Sequence, residues 1–305
     1  MGLALVFPGQ GSQQVGMGKS LAEAHPEARQ VFEEANDALG FDLMKLCLEG
    51  PEEELTLTFN AQAAILTVST LAYRVLAARA PLQPLSVAGH SLGEYSALVA
   101  ARALAFKDAV LAVYRRGQFM QEATPVGVGA MAAILGTPAD ELERLCREEA
   151  RGEIVAPANF NAPGQIAISG HAGAVKRVLA RCKGRLLAVS APFHCALMQP
   201  AADKLREVLA AIPFADASVP VCVNVSNALV TRAAEFAPLL VSQVTAPVRW
   251  DTGCQVMIQA GARRFIEVGN GKVLAGLMKR IDKAVPVWGV QDEDSLKAVL
   301  AELGA

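Results

Sequence analysis

At 305 residues, 52% hydrophobic and 19% charged, the chain can bury an ample core in one large domain or a domain with an insert. A net charge of −2, with no basic run and no interleaved aromatic stripe, argues against a nucleic-acid binder. The six cysteines (Cys47, Cys146, Cys182, Cys195, Cys222, Cys254) form no C-x-x-C pair and no Cys/His cluster, so neither a zinc site nor a disulfide framework is expected.

Residues 3–7, Leu-Ala-Leu-Val-Phe, read as a fully buried strand that runs into the turn Pro8-Gly9-Gln10-Gly11-Ser12. This apolar run is far too short for a signal peptide core, and residues 55–73 are broken by Thr, Asn, Gln and Ser. A cytoplasmic protein with no membrane span and reduced, buried thiols is therefore expected. Helical patterns occupy residues 26–39 and 60–80. A second apolar strand, 85–89, ends in Gly89-His90-Ser91-Leu92-Gly93 and is followed by helices at 96–102 and 107–122. A strand, helices and then a distant parallel strand predict a doubly wound α/β sheet.

The middle of the chain changes character. Residues 130–135 read as a strand, and Thr137-Pro138-Ala139-Asp140 opens a helix to about 149. Strands at 154–159 and 165–169 flank the turn Asn161-Ala162-Pro163-Gly164, a helix spans 171–183, and a strand follows at 185–189. That order, β-α-β-β-α-β, is the ferredoxin-like unit. It predicts an inserted subdomain at 127–190, with 1–126 and 191–305 forming a hydrolase-like, parallel-sheet large domain. Beyond it, helices are predicted at 198–212, 236–243 and 250–260, and strands at 219–225, 265–268 and 285–290. A helix follows the turn Gly269-Asn270-Gly271-Lys272, and another closes the chain.

Gly89-His90-Ser91-Leu92-Gly93 between a strand and a helix has the form of a nucleophile elbow: a strained turn that lifts a serine hydroxyl above a sheet, beside a helix N-terminus. Ser91 is the candidate nucleophile. A serine needs a base, and the chain has four histidines. His25, before Pro26, reads as a solvated surface residue, and His171 as part of a helix cap. His90 should point away from the serine, and is either a hydrogen-bonded support or a substrate contact. His194, where the chain leaves the insert, borders the cleft and is the candidate base. No histidine follows it, and the acidic residues between Ser91 and His194 sit mostly in solvated helical patterns. A backbone carbonyl or a side-chain amide is therefore expected to orient it.

Arg116 shares a helical face with Ala109, Val113 and Met120, but Arg115 also has apolar neighbours in Leu111 and Phe119, so periodicity leaves a buried arginine undecided between them. Gly9-Gln10-Gly11 lacks the third glycine of a dinucleotide fingerprint, since Gln14 stands there. As the end of a predicted neighbouring strand, it is instead the candidate second oxyanion donor. The turn at 269–272 lacks the phosphate-loop spacing.

Taken in order, several segments carry a specific likeness that runs nearly end to end. They are Phe7-Pro8-Gly9-Gln10-Gly11-Ser12-Gln13, Asn60-Ala61-Gln62, Gly89-His90-Ser91-Leu92-Gly93-Glu94-Tyr95 and Arg116-Gly117-Gln118-Phe119-Met120-Gln121. Asn159-Phe160-Asn161-Ala162-Pro163-Gly164-Gln165, Pro192-Phe193-His194-Cys195-Ala196-Leu197-Met198, Pro247-Val248-Arg249-Trp250 and Glu267-Val268-Gly269 complete them. On these the chain resembles the malonyl-CoA:acyl carrier protein transacylase family, acyltransferases of fatty-acid and polyketide synthesis.

The resemblance implies a ping-pong transfer of malonyl from malonyl-CoA, through an ester on Ser91, to the phosphopantetheine thiol of acyl carrier protein, with no metal or redox cofactor. It makes His194 the general base and acid, and the backbone N–H groups of Gln10 and Leu92 the oxyanion donors. It also makes Arg116 the bidentate partner of the malonyl carboxylate. Gln62, His90 and Asn159 would line the pocket, and Phe193 would take the space of a 2-methyl group, favouring malonyl over methylmalonyl. The main-chain carbonyl of Arg249, where some members have glutamine, would orient His194. Asn270 replaces the family's usual proline. A monomer is expected, with Lys176, Arg177, Arg181, Lys183 and Arg185 as candidates for docking an acidic carrier, or else as a solvated face. A thioesterase would use the same serine and histidine, but an arginine placed for a carboxylate argues against a simple lipid esterase.

Overall fold

In the computed structural model, which describes residues 2–304, the strands in chain order are β1 (Leu3–Phe7), β2 (Pro84–Gly89), β3 (Gly129–Leu135), β4 (Val155–Ala162), β5 (Gln165–His171), β6 (Gly184–Leu186), β7 (Val221–Cys222), β8 (Leu229–Val230), β9 (Arg264–Val268) and β10 (Val287–Val290). They form two sheets. The larger runs β10-β9-β1-β2-β7-β8, parallel throughout except for the β7–β8 hairpin at one edge. β1 lies at its centre, and all five of its residues are buried. Leu3, Leu5 and Phe7 join the main core, while Ala4 and Val6 join a second cluster with Phe265, Trp250 and Met257. A strand covered on both faces has no solvent side, which is why its sequence is an unbroken apolar run.

The 22-residue helix Thr58–Arg79 supplies much of the main core, with small and apolar side chains buried around most of its circumference. It is long and apolar enough to cross a membrane, but 78% of its most apolar stretch is buried inside this fold, as in a core helix.

The second sheet runs β4-β5-β3-β6 and is antiparallel. Helices Ala139–Ala150 and Ala172–Leu179 bury Leu142, Leu145, Val175 and Val178 against Ile134, Phe160, Ile166 and Ile168 of its strands. The predicted order of elements is present, but β6 keeps only three residues of the expected 185–189 region, all exposed, because the chain then turns toward the cleft. The other edge of this sheet is stitched to the segment before helix Trp250–Gln259: Phe160 N–H donates to Val248 O (2.8 Å), and Val248 N–H to Ala158 O (2.9 Å).

Other departures have local causes. Helices Lys19–Ala24, Leu43–Glu49 and Glu52–Thr56 were not predicted, being too short to show a period. The strand expected at 219–225 shrinks to β7, because the chain reverses through Asn227 (φ 56°) into β8. The helix expected at 96–102 is Gly93–Ala100, so it starts at the last glycine of the elbow.

Candidate active site

The elbow follows from two glycines. A Cβ on Gly89 would overlap the Gly93 backbone, and one on Gly93 would overlap the Phe7 carbonyl, so strand, turn and helix can approach only with neither present. Ser91 between them sits in the left-handed region at φ 52°, a conformation that the surroundings must hold for a non-glycine residue. Its Oγ lies 2.7 Å from His194 Nε2.

His194 Nδ1 is 2.8 Å from the carbonyl of Gln243, the last residue of helix Ala233–Gln243. A carbonyl only accepts, so Nδ1 carries the proton and Nε2 is left to take the serine's. Burial, and next the Arg116 charge, pull the imidazole pKa down to about 3, so the ring stands neutral and Nε2 can accept a proton. The orienting carbonyl is therefore Gln243's and not, as expected, that of Arg249. Arg249 stands at the start of helix Trp250–Gln259, with its guanidinium 4.8 Å over the Phe160 ring, at the seam between the sheets.

Arg116 is 1% exposed, whereas Arg115 is exposed and reaches only Gln118. Arg116 Nη1 donates to Gln62 Oε1 (2.8 Å), and Nη2 to Gln243 Oε1 (2.9 Å) and Ser91 Oγ (3.1 Å). Its Nε is buried with no partner among the described residues, and there it forms no ion pair with a carboxylate. A buried cation held by neutral oxygens beside a serine hydroxyl can receive an anion.

One cavity of about 490 Å³ brings together Gln10, Gln62, His90, Ser91, Arg116, Asn159, Phe193 and His194. Leu92 is fully buried, so it can offer only its backbone. Among the described residues, no acceptor takes the N–H of Gln10 or of Leu92. His90 Nε2 lies 2.8 Å from Asn161 Oδ1 of the antiparallel sheet, and burial lowers its pKa. The other two histidines are elsewhere. His25 is buried, not solvated, and meets Glu293 (2.7 Å) and Arg79 between three helices. His171 caps helix Ala172–Leu179 by position, while its Nδ1 accepts from Ile154 N–H (2.9 Å). Of the basic residues on the second sheet's unit, Arg177 and Arg181 are tied to Glu148, Glu149 and Glu153. Lys176, Lys183 and Arg185 are exposed.

The sequence reading missed Gln243, Asn224, Glu94 and Asn161 as parts of the site. Glu94 had a signal, a lone charge in the apolar helix Gly93–Ala100, which requires a buried partner. Gln243 and Asn224 had none, because their roles depend on contacts across more than a hundred residues of chain.

The acyl transferase domain family matches residues 4–288. The malonyl CoA-acyl carrier protein transacylase of Escherichia coli (strain K12) is 46% identical over 303 residues, covering 97% of this chain and 98% of that protein. The protein of the same description from Bacillus subtilis (strain 168) is 47% identical over 308 residues, covering 99% and 97%. The solved malonyl CoA-acyl carrier protein transacylase of Coxiella burnetii superposes with a TM-score of 0.98 at 40% identity, covering 100% and 98%. A malonyl-transacylase solved in complex with a type II PKS acyl-carrier protein superposes at 0.96 with 45% identity, covering 99% and 100%.

Proposed function

Because the chain belongs to the acyl transferase family, we propose that it carries malonyl from malonyl-CoA to the phosphopantetheine thiol of acyl carrier protein through an ester on Ser91. The observation that carries the residue roles is Arg116: a buried guanidinium without a carboxylate partner, 3.1 Å from the nucleophile. A free carboxylate two bonds from the thioester carbonyl can pair with it while the carbonyl lies over Ser91.

In the first half-reaction Ser91 Oγ attacks the thioester carbon and His194 Nε2 takes its proton. The N–H groups of Gln10 and Leu92 hold the oxyanion, the C–S bond breaks, and His194 returns the proton to the departing CoA thiolate. In the second, His194 takes the proton of the carrier thiol, the thiolate attacks the serine ester, and the proton goes back to Ser91 Oγ. The Gln243 carbonyl steadies the imidazolium in both. Nucleophile, base, oxyanion donors and carboxylate clamp are all supplied by the chain, so the reading calls for no resident metal or redox cofactor. Phe193 at the cavity wall supports malonyl over methylmalonyl.

The reading further places the protein in the cytoplasm as a monomer, divides it into a large domain (1–126 and 191–305) and an inserted unit (127–190), and gives the exposed Lys176, Lys183 and Arg185 to the acidic carrier. The antiparallel sheet lying wholly within 127–190 supports that division. Transfer to a polyketide carrier is a second reading, favoured by the similarity to the transacylase solved with such a carrier.

Intact-protein mass spectrometry after brief mixing with malonyl-CoA tests the proposal. A malonyl adduct that is absent in Ser91→Ala and leaves for added carrier supports it, and the rates with fatty-acid and polyketide carriers separate the two pathways. An adduct that decays as fast without carrier makes the protein a hydrolase.

A further inference from the structure

We propose that Asn224 and Glu94 are positioning residues for the transfer, holding the nucleophile's own peptide groups and linking them to the base and the arginine. This deepens the reading of Ser91 as nucleophile and rests on it.

Ser91 is bound from outside the elbow on both sides. Its N–H donates to Asn224 Oδ1 (2.7 Å), and its carbonyl accepts from Gln243 Nε2 (3.0 Å). Asn224 Nδ2 also donates to Gly89 O (2.8 Å), so one side-chain amide clamps the turn before and at the serine. The amide is held in turn, because the Asn224 N–H donates to Glu94 Oε2 (2.8 Å). The same oxygen accepts from Gln243 Nε2 (3.0 Å).

Gln243 then supplies its carbonyl to His194 Nδ1 and its side-chain oxygen to Arg116 Nη2. A single carboxylate oxygen, on the helix that begins at the elbow, thus gathers the two amides that set nucleophile, base and carboxylate clamp. Glu94 and Asn224 are 1% and 4% exposed, and neither lines the cavity, so both act through other residues and not on the substrate. Asparagine suits the post because it offers one acceptor and one donor in a fixed fork. An aspartate would turn a lone pair toward the Gly89 carbonyl and set a second carboxylate beside Glu94.

Rapid-quench mass spectrometry of single-turnover acylation by malonyl-CoA, with Kd taken from its concentration dependence, tests this on the full chain. In Asn224→Ala the acylation rate constant is expected to fall on the order of 10²-fold, since a small misplacement of reacting groups costs about that much. Its Kd should stay within about threefold of wild type, because no cavity wall changes. Asn224→Asp, of nearly the same shape, should lose rate to a similar degree, and it carries the test if Asn224→Ala does not fold. A purely structural role would weaken rate and affinity together. Acylation within about threefold of wild type in either variant, or a loss of rate matched by an equal loss of affinity, overturns the proposal. Ser91→Ala run alongside keeps the two levels apart: an adduct that persists there overturns the nucleophile itself.

Discussion

A guanidinium at 1% exposure is costly unless something repays its desolvation, and at Arg116 the resident partners are three neutral oxygens. That arrangement has a directional consequence. Arg116→Lys keeps the charge but loses the planar fork, so kcat/KM for malonyl-CoA should drop by about 10²-fold, corresponding to ~3 kcal/mol of transition-state binding, measured by steady-state kinetics. His194 makes a second prediction, read in stability. Its folded pKa is about 3 against an ordinary 6.5, so the unfolded chain binds the proton more readily between those values. Its contribution is complete above pH 6.5 and is lost progressively as the pH falls toward 3. Glu94, raised to about 7 by burial, works in the opposite sense, costing stability as the pH rises from about 4.5 to 7. Comparing wild type with His194→Asn removes that background: the wild type's advantage in unfolding free energy should shrink between pH 7 and pH 5 in urea titrations.

Among the elements, strand β2, the turn and helix Gly93–Ala100 form one unit whose geometry depends on missing Cβ atoms. Replacing glycine by alanine inside a helix ordinarily stabilises by up to about 1 kcal/mol. At Gly93 the sign reverses, since the new methyl meets the Phe7 carbonyl in the neighbouring strand, and a backbone atom cannot swing aside. Gly93→Ala should destabilise by about 1–3 kcal/mol and also disturb acylation, as judged by urea unfolding alongside the single-turnover rate. The same unit explains why this helix starts at Gly93, ahead of the 96–102 pattern. Gly93, Glu94 and Tyr95 look like turn continuation in a linear pattern, but the tight fold lets the helix begin two residues after the serine.

Over the whole molecule, the cleft is the gap between a parallel sheet that supplies Ser91 and an antiparallel one that supplies Asn159 and Asn161. The Val248 hydrogen bonds to β4 fix their separation. Arg249 belongs to this seam, stacked on Phe160. Arg249→Ala should therefore lower stability by about 0.5–1 kcal/mol while leaving kcat within about threefold of wild type, measured by thermal unfolding and malonyl transfer. A larger loss of kcat would mean that the stacked guanidinium also shapes the cleft, and would leave the Gln243 carbonyl as the partner of His194.

The sequence by itself determined the α/β class, the order of the longer elements, the elbow and the short choice of histidines, because these reside in local periodicity, glycine spacing and residue chemistry. It could not choose between Arg115 and Arg116 by pattern, since both have apolar neighbours along the helix, and the packing alone shows which is buried. Nor could it separate Gln243 from Arg249 as the source of the orienting carbonyl. Every residue carries the same carbonyl, and which one faces His194 depends on where helix Ala233–Gln243 ends in space. The tertiary structure decided these points, and with them the Glu94–Asn224–Gln243 network, because a buried polar group is satisfied by whatever partner the fold brings within reach and not by its neighbours in the chain.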